Sequence, residues 1–173
     1  MGNERGMTLI ETLLVVSMAA LMLVATAAYS IPWLARENMR GAVYDLQTYM
    51  QLTRIEAVSR NRECRFVLNT STRDLAIYDG NGTSTTTDDT LLYERGLPGS
   101  ISFARPDSGS AVSISQIGTG SRYEVKFTSD GTVSAGSGLV HVLGGERYGR
   151  ISVFGAGGTQ VERWNGSRWE LGT

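Results

Sequence analysis

The sequence predicts an α+β protein in which one long N-terminal helix packs on antiparallel β-sheets. Three observations predict this class. Residues 12–35 carry no charge, and apolar residues then recur every three or four positions as far as residue 57. From residue 64 onward, short alternating runs are separated by Gly, Asn, Asp and Ser. The 173 residues leave room for one globular domain beyond the helix.

The uncharged segment is long enough to cross a membrane. Its 24 residues form a helix of about 36 Å, against a hydrocarbon core of roughly 30 Å. Glu11 stands at its N-terminal edge, where a charge is costly and usually has a specific partner. Only Arg5 precedes the segment, whereas Arg36 and Arg40 follow it, so the distribution of positive charge does not favour a cytoplasmic N-terminus.

The helix is expected to continue beyond the membrane as an amphipathic helix. Pro32 should kink or loosen it, and Gly41 should weaken it again. Beyond these positions the spacing predicts one buried face, with Tyr49 beside it, formed by Met39, Val43, Leu46, Met50 and Ala57.

The remaining residues read as short strands joined by turns. Asp79–Gly82 and Asp130-Gly131 have turn composition, and Asn165-Gly166 predicts a terminal hairpin. The candidate strands are 65–68, 75–78, 91–93, 101–103, 112–114, 123–127, 132–133, 139–143, 150–154, 160–164 and 168–171. Strands at this spacing predict mainly antiparallel sheets packed on the outer half of the helix.

The junction between Gly6 and Met7, followed by Thr8-Leu9-Ile10-Glu11, resembles the type III signal of type IV pilins and type II secretion pseudopilins. The resemblance implies that a prepilin peptidase cleaves after Gly6 on the cytoplasmic side and methylates the amine of Met7. It also implies that Glu11 is the assembly residue, neutralised in a filament by the ammonium of a neighbouring subunit's Met7. The family usually has Phe where this chain has Met7.

Later motifs resemble the GspH/FimT group of minor pilins and pseudopilins, in the same order along the chain. These motifs are Leu52–Asn61, Asp79–Gly82, Phe127–Thr132 and Arg150–Val153. The resemblance implies a pilin-like fold with a leader peptide at 1–6, a transmembrane helix at 7–34, an amphipathic continuation at 35–61 and a periplasmic β-rich domain at 62–173.

Two other interpretations of the N-terminus remain open. An ordinary secretory signal peptide would be removed at a small-residue site, which Ala25-Thr26-Ala27 supplies. Against it, Glu11 interrupts the start of the apolar segment, and the leader is barely basic. The second interpretation is an unprocessed signal anchor.

Composition argues against catalysis. The chain has one histidine, His141, inside an apolar alternating run, and one cysteine, Cys64, which reads as a buried small hydrophobe. Metal and Ser-His-Asp sites need more ligands or partners than this, and no phosphate-binding Gly-rich loop is present. We therefore expect no enzymatic activity, no cofactor and no metal. The net charge of −1 shows no general affinity for nucleic acid, although 15 of the 16 basic residues are arginine.

The C-terminal region interleaves arginines with aromatic residues, a pattern that can hold phosphates and stack bases. Some FimT-type pilins bind DNA through a tail motif of the form G-R-x-R, but here Gly149-Arg150-Ile151 is followed by Ser152. The more favoured interpretation is a structural hairpin, or a contact with another subunit, with cross-strand Arg–Glu and Trp pairs. The candidate residues for DNA or partner contact are Arg147, Arg150, Arg163, Trp164, Arg168 and Trp169.

The resemblance therefore implies a minor pseudopilin of a type II secretion pseudopilus, held in the bacterial inner membrane by a single pass and then extracted into a filament. Its implied partners are other pilin or pseudopilin subunits, the prepilin peptidase and the inner-membrane assembly platform. A FimT-type minor type IV pilin, involved in pilus priming or DNA uptake, is the alternative. A secreted β-domain binding protein with an ordinary signal peptide is an alternative of another class.

Overall fold

A computed structural model describes residues 8–83 and 86–172. The leader, Gly6 and Met7 lie outside the described residues. One helix is followed by short strands that pair antiparallel, which confirms the predicted α+β class. The elements are α1 (Leu9–Arg60), β1 (Cys64–Asn69), β2 (Asp74–Asp79), β3 (Thr90–Gly96), β4 (Ile101–Ser102), β5 (Ser115–Gln116), β6 (Arg122–Phe127), β7 (Val133–Ala135), β8 (Gly138–Gly144), β9 (Arg147–Val153), β10 (Thr159–Trp164) and β11 (Trp169–Leu171).

The chain divides into two units, Met1–Leu34 and Ala35–Thr173. The described part of the first unit is the apolar half of α1, which is long and apolar enough to cross a membrane and buries none of its apolar window against the protein. Its serine and threonine hydroxyl groups bond within the helix: Thr12, Ser17, Thr26 and Ser30 each donate to a carbonyl three or four residues earlier at 2.8 Å. Each of these four hydroxyl protons therefore has an acceptor without water, as a lipid environment demands.

The second unit folds around the other half of α1. The face that the spacing predicts is buried, with Leu46 and Met50 fully inaccessible to solvent. Tyr49 is half-buried beside it and accepts a 2.6 Å hydrogen bond on its carbonyl from the buried Thr53 hydroxyl. The helix continues past Pro32 and Gly41, so neither residue ends α1.

Two antiparallel sheets complete this unit. The first has the order β3-β2-β1-β6-β5, with β7 also paired to β6, and the second has the order β11-β10-β9-β8-β4. Strands β8 and β9 are adjacent, as their sequences predict. Phe66 and Phe127 from the first sheet and Val140 and Ile151 from the second join the buried face of α1 in one hydrophobic core. This core alone must stabilise the unit, because Cys64 is the only cysteine and a disulfide within the chain cannot form.

Two local predictions are wrong. The run 112–114 forms no strand: Val112 makes an isolated bridge to Val140, and β5 begins only at Ser115. The terminal hairpin is present, but its turn is shifted by one residue. Asn165 pairs with Arg168 through an N–H to carbonyl bond of 3.1 Å, which leaves Gly166 and Ser167 as the loop. The Asn165 side chain accepts hydrogen bonds from the N–H groups of Ser167 and Arg168 at 2.9 Å each, which explains why asparagine precedes the loop here.

Candidate functional site

The first turn of α1 carries the candidate assembly residue. The backbone N–H of Glu11 donates to the Thr8 hydroxyl at 3.3 Å, so Thr8 caps the helix start. The sequence Thr8-x-x-Glu11 is the spacing of a capping box, and a carboxylate in the first turn interacts favourably with the helix dipole. Within the described residues, the Glu11 carboxylate has no hydrogen-bond or ion-pair partner of its own. It is therefore free to pair with a group outside this chain.

The apolar residues that follow Glu11 are exposed along the whole segment. Leu13 is 67% exposed, Leu23 72% and Val24 70%. Exposed apolar surface on this scale marks a membrane or protein contact. This part of α1, residues 9–34, is called the stem below. It has the composition, the length and the exposure of a helix that is buried in lipid or among other helices.

The second sheet separates the C-terminal candidates onto its two faces. The register pairs Arg150 with His141 on one side and with Glu162 on the other, so these three side chains share the face directed away from α1. Trp164 pairs with Trp169 and extends this face. Arg163 pairs with Gly149, which faces α1, and Arg147 lies two residues before Gly149 on the same side. The strand register thus puts Arg147 and Arg163 on the face towards α1, whereas Arg150 lies on the opposite face.

On the face directed away from α1, Arg150 contacts a carboxylate and an aromatic ring. Its Nε donates to a Glu162 carboxylate oxygen at 2.5 Å, and its guanidinium lies 4.5 Å from the centre of the Trp169 ring. The Trp169 ring lies 5.3 Å from those of both Trp164 and His141. The cross-strand pairs of the structural interpretation are therefore present, and they occupy the guanidinium and an aromatic ring that DNA binding would need.

His141 is buried beside the Arg150 and Trp169 side chains. Its Nδ1 lies 2.9 Å from the carbonyl oxygen of Ala111, which fits a neutral ring that donates from Nδ1. Burial lowers the pKa of His141, and the nearby charge of Arg105 acts in the same direction. Its environment is that of a packing residue. Cys64 is buried as predicted, and burial raises the pKa of its thiol to about 11, so it stays protonated at neutral pH.

Arg168 lies in the terminal turn and is largely exposed. Its Nε contacts a carboxylate oxygen of Glu170 at 3.2 Å, and the same carboxylate accepts from the Asn165 amide at 2.6 Å. These hydrogen bonds from Asn165 and Arg168 lower the pKa of Glu170. The pair is a surface contact that braces the hairpin.

Sequence reasoning missed two arginines of α1 that belong with Arg147 and Arg163. Arg36 and Arg40 line the same cavity as those two sheet residues. The signal in the sequence was their i, i+4 spacing, which puts both on one helix face immediately after the apolar segment. Nothing in the sequence indicated which strands that face would meet.

The hairpin motif 127–132 forms a turn against the end of α1. Asp130 accepts hydrogen bonds from the backbone N–H of Thr132 at 3.0 Å and from the hydroxyls of Thr128 and Thr132. Those bonds, with that of Thr128 the largest contribution, lower the pKa of Asp130 to about 2. Gly131 has a φ of +78°, and a β-carbon there would lie 2.9 Å from Arg54 Nε. Glycine is therefore required by both backbone conformation and space.

A helical stem, exposed and apolar, followed by a helix packed on antiparallel sheets defines the chain as a pilin-like protein. The model of the family described as "Type II transport protein GspH" matches residues 42–157. The chain therefore belongs to the GspH family, within the type IV pilin and pseudopilin superfamily. It is a minor pilin or pseudopilin of type II secretion or type IV pili.

A solved structure shares the fold at low sequence identity. The crystal structure of the type IV minor pilin FimU of Pseudomonas aeruginosa matches with a TM-score of 0.51 and 16% identity, over 78% of this chain and 94% of that one. The minor pseudopilin EpsH from the type 2 secretion system of Vibrio cholerae matches with a TM-score of 0.48 and 11% identity, over 72% of this chain and 95% of that one. A comparison with curated proteins found no match.

Proposed function

We propose that this chain is a minor pseudopilin subunit that assembles into the periplasmic pseudopilus of a type II secretion system and assists protein secretion without catalysing a reaction. The observation that carries the proposal is the match of residues 42–157 to the family described as a type II transport protein. The apolar, exposed stem supports it, because such a stem is needed both for storage in the membrane and for packing in a filament.

In the proposed mechanism, a prepilin peptidase removes residues 1–6 and methylates Met7. The Glu11 carboxylate then pairs with the Met7 ammonium of a neighbouring subunit. An ionised carboxylate buried without a partner costs several kcal/mol, so this pairing fixes the axial offset between subunits. The second unit, Ala35–Thr173, is called the β-rich unit below. It remains in the periplasm and contacts other pseudopilins. The inner-membrane assembly platform moves the subunit out of the lipid.

Deletion and complementation test this proposal. In a strain that lacks the gene, secretion of type II substrates should fall, and the wild-type gene should restore it. Pilus number and uptake of DNA should stay unchanged. The opposite pattern, with normal secretion and loss of pili or DNA uptake, would favour a FimT-type minor type IV pilin and reject the pseudopilin assignment.

A further inference from the structure

A cavity of about 270 Å³ lies within the second unit, beside the helix face that follows the apolar segment. Its walls combine four guanidinium groups with apolar and amide side chains, and they include no carboxylate. The lining residues are Arg36, Met39, Arg40, Arg147, Arg163, Trp164 and Asn165. Two arginines come from α1 and two from the helix-facing side of β9 and β10, so the cluster forms only when helix and sheet pack together.

The positive charge in this cavity is poorly compensated. Arg40 has an ion pair with Glu37 at 3.7 Å, but both side chains are 54% exposed, and exposed pairs contribute little. Glu162 is paired with Arg150 on the other face of the sheet. Glu170 stands opposite Arg163 and partly compensates its charge, but its hydrogen bonds come from Asn165 and Arg168. In residues 8–83 and 86–172, no carboxylate forms an ion pair with Arg36, Arg147 or Arg163. All four arginines are exposed, so water solvates them in the free protein, and an anion from outside the chain can replace that water.

The arginine geometry favours a phosphate. A guanidinium presents two parallel N–H donors that match the oxygens of a phosphate, and several of them can surround one phosphate group. Met39 lines the same wall and provides apolar surface beside that charge, whereas the Trp164 ring packs against Trp169 on the opposite face of the sheet. Phosphate next to apolar groups is the chemistry of a phospholipid at the level of its headgroup and glycerol.

The position of the cavity in the chain points to the same ligand. Arg36 directly follows the uncharged segment 12–35 in the sequence, and Arg40 lies one helical turn later. Tyr29 and Trp33, which are exposed near the end of the segment, are residues typical of a membrane–water interface. Positive charges are also under-represented on the translocated side of a membrane helix, and a specific anionic partner explains their presence there.

We propose that this arginine cavity binds the headgroup phosphate of an anionic phospholipid in the leaflet where the apolar segment ends. The inference rests on the proposed function only in taking the stem of α1 as a membrane span. Binding holds the β-rich unit against the membrane surface before assembly. Extraction of the subunit into a filament then requires release of the lipid.

Full-length protein in a neutral detergent, mixed with equal amounts of phosphatidylglycerol and phosphatidylcholine, provides the test. Native mass spectrometry measures which lipid remains bound. The wild type should retain phosphatidylglycerol with a preference of about tenfold or more. Arg147→Gln with Arg163→Gln should remove this preference, because each arginine contributes about 1 kcal/mol near an anionic lipid and a loss of about 2 kcal/mol exceeds the roughly 1.4 kcal/mol of a tenfold preference. Both substitutions lie outside the stem, so insertion is unaffected.

A matched control removes the same charge elsewhere. Arg95 and Arg122 are exposed residues of the first sheet, and Arg95→Gln with Arg122→Gln should keep the wild-type preference. Equal thermal unfolding of the two double variants excludes misfolding as the cause. Flotation with phosphatidylcholine vesicles reports insertion of the stem separately, and failure to float would overturn both this inference and the membrane role in the proposed function.

Four results would overturn the inference while leaving the proposed function intact. The first is equal retention of the two lipids by the wild type. The second is a preference that survives Arg147→Gln with Arg163→Gln or disappears in the control. The third is a shift of double-stranded DNA at low salt that is lost in the same double variant without any lipid preference, which would assign the cavity to nucleic acid. Stabilisation by inorganic phosphate without lipid preference would assign it to free anions.

Discussion

The two halves of α1 have the same secondary structure but opposite surroundings. Before Leu34 the large apolar side chains are exposed, whereas beyond Ala35 the residues at helical spacing are buried in the core of their own domain. The second half is therefore stabilised by packing that the chain supplies itself. The first half exposes apolar side chains, which a membrane or other subunits can bury. It also carries the Glu11 carboxylate, which a group of another subunit can pair. The comparison shows that one half of a helix can be buried by its own domain while the other half presents its apolar side chains for contact with lipid or other helices.

The largest effect is expected at Glu11. Glu11→Ala should leave the β-rich unit folded but reduce incorporation into sheared filaments by about tenfold or more, because it leaves a neighbour's buried ammonium unpaired at a cost of about 3–5 kcal/mol. Immunoblots of the filament fraction measure incorporation, and circular dichroism checks the fold. Glu37→Ala, which removes an exposed carboxylate from the other half of the helix, is the control. Normal incorporation of Glu11→Ala would contradict the role assigned to Glu11.

The next effect contrasts a leucine from each half. Leu46→Ala should lower the free energy of unfolding of the β-rich unit by about 2–5 kcal/mol, because Leu46 is fully buried. Leu23→Ala should change it by less than about 0.5 kcal/mol, because Leu23 is 72% exposed. Urea unfolding of the full-length proteins in detergent, followed by near-UV circular dichroism, compares them. Equal losses would show that the two halves do not differ as described.

A smaller effect tests the close approach of the second sheet to α1. A β-carbon at Gly144 would lie 2.4 Å from Met39 Cβ and 2.8 Å from the Ala35 carbonyl oxygen. Gly144→Ala should therefore cost about 1–3 kcal/mol through displacement of helix or strand. Gly155→Ala, where nothing lies within 4 Å, should have little effect in the same unfolding assay. A neutral Gly144→Ala would show that strand and helix separate easily.

The smallest effect is a pH dependence from His141. Burial lowers the pKa of its folded state below the ordinary value of about 6.5, so the unfolded chain binds more protons as the pH falls through and below that value. The free energy of unfolding should decrease from pH 7.5 to 5.5, by at most about 1.4 kcal/mol per pH unit. His141→Gln should flatten this slope. An identical slope in the variant would assign the effect to other groups.

The fold class was predictable because its signals are periodic. The apolar face of Met39, Val43, Leu46 and Met50 follows from helical spacing, and the pairing of β8 with β9 follows from adjacent alternating runs. The run 112–114 forms no strand because its pairing with β8 is only one bridge long. Ser113 N–H donates to the Leu139 carbonyl and His141 N–H to the Ala111 carbonyl, both at 2.8 Å, and Ile114 is buried beyond the end of this pairing. Alternation reports which side chains are buried but not how far the backbone pairs.

The candidate site was less predictable, because it depends on register and on which helix face meets which sheet. The sequence grouped Arg150 with Arg147 and Arg163, yet the pairing of Glu162 with Arg150 puts Arg163 on the opposite face. The same packing brings Arg36 from more than a hundred residues away. Strand alternation is visible in a sequence, whereas contact between distant elements is decided by the whole core.

We propose that the stem of α1 stays in the mature protein as a permanent assembly element. Intact-mass spectrometry of the protein from the membrane fraction of its native cells, with sequencing of the N-terminal peptide, tests it most directly. If the stem is retained for assembly, the chain should begin at N-methylated Met7 and retain Glu11 and the apolar segment. A chain that still carries residues 1–6, or one that begins near Ala28 without the stem, would contradict it.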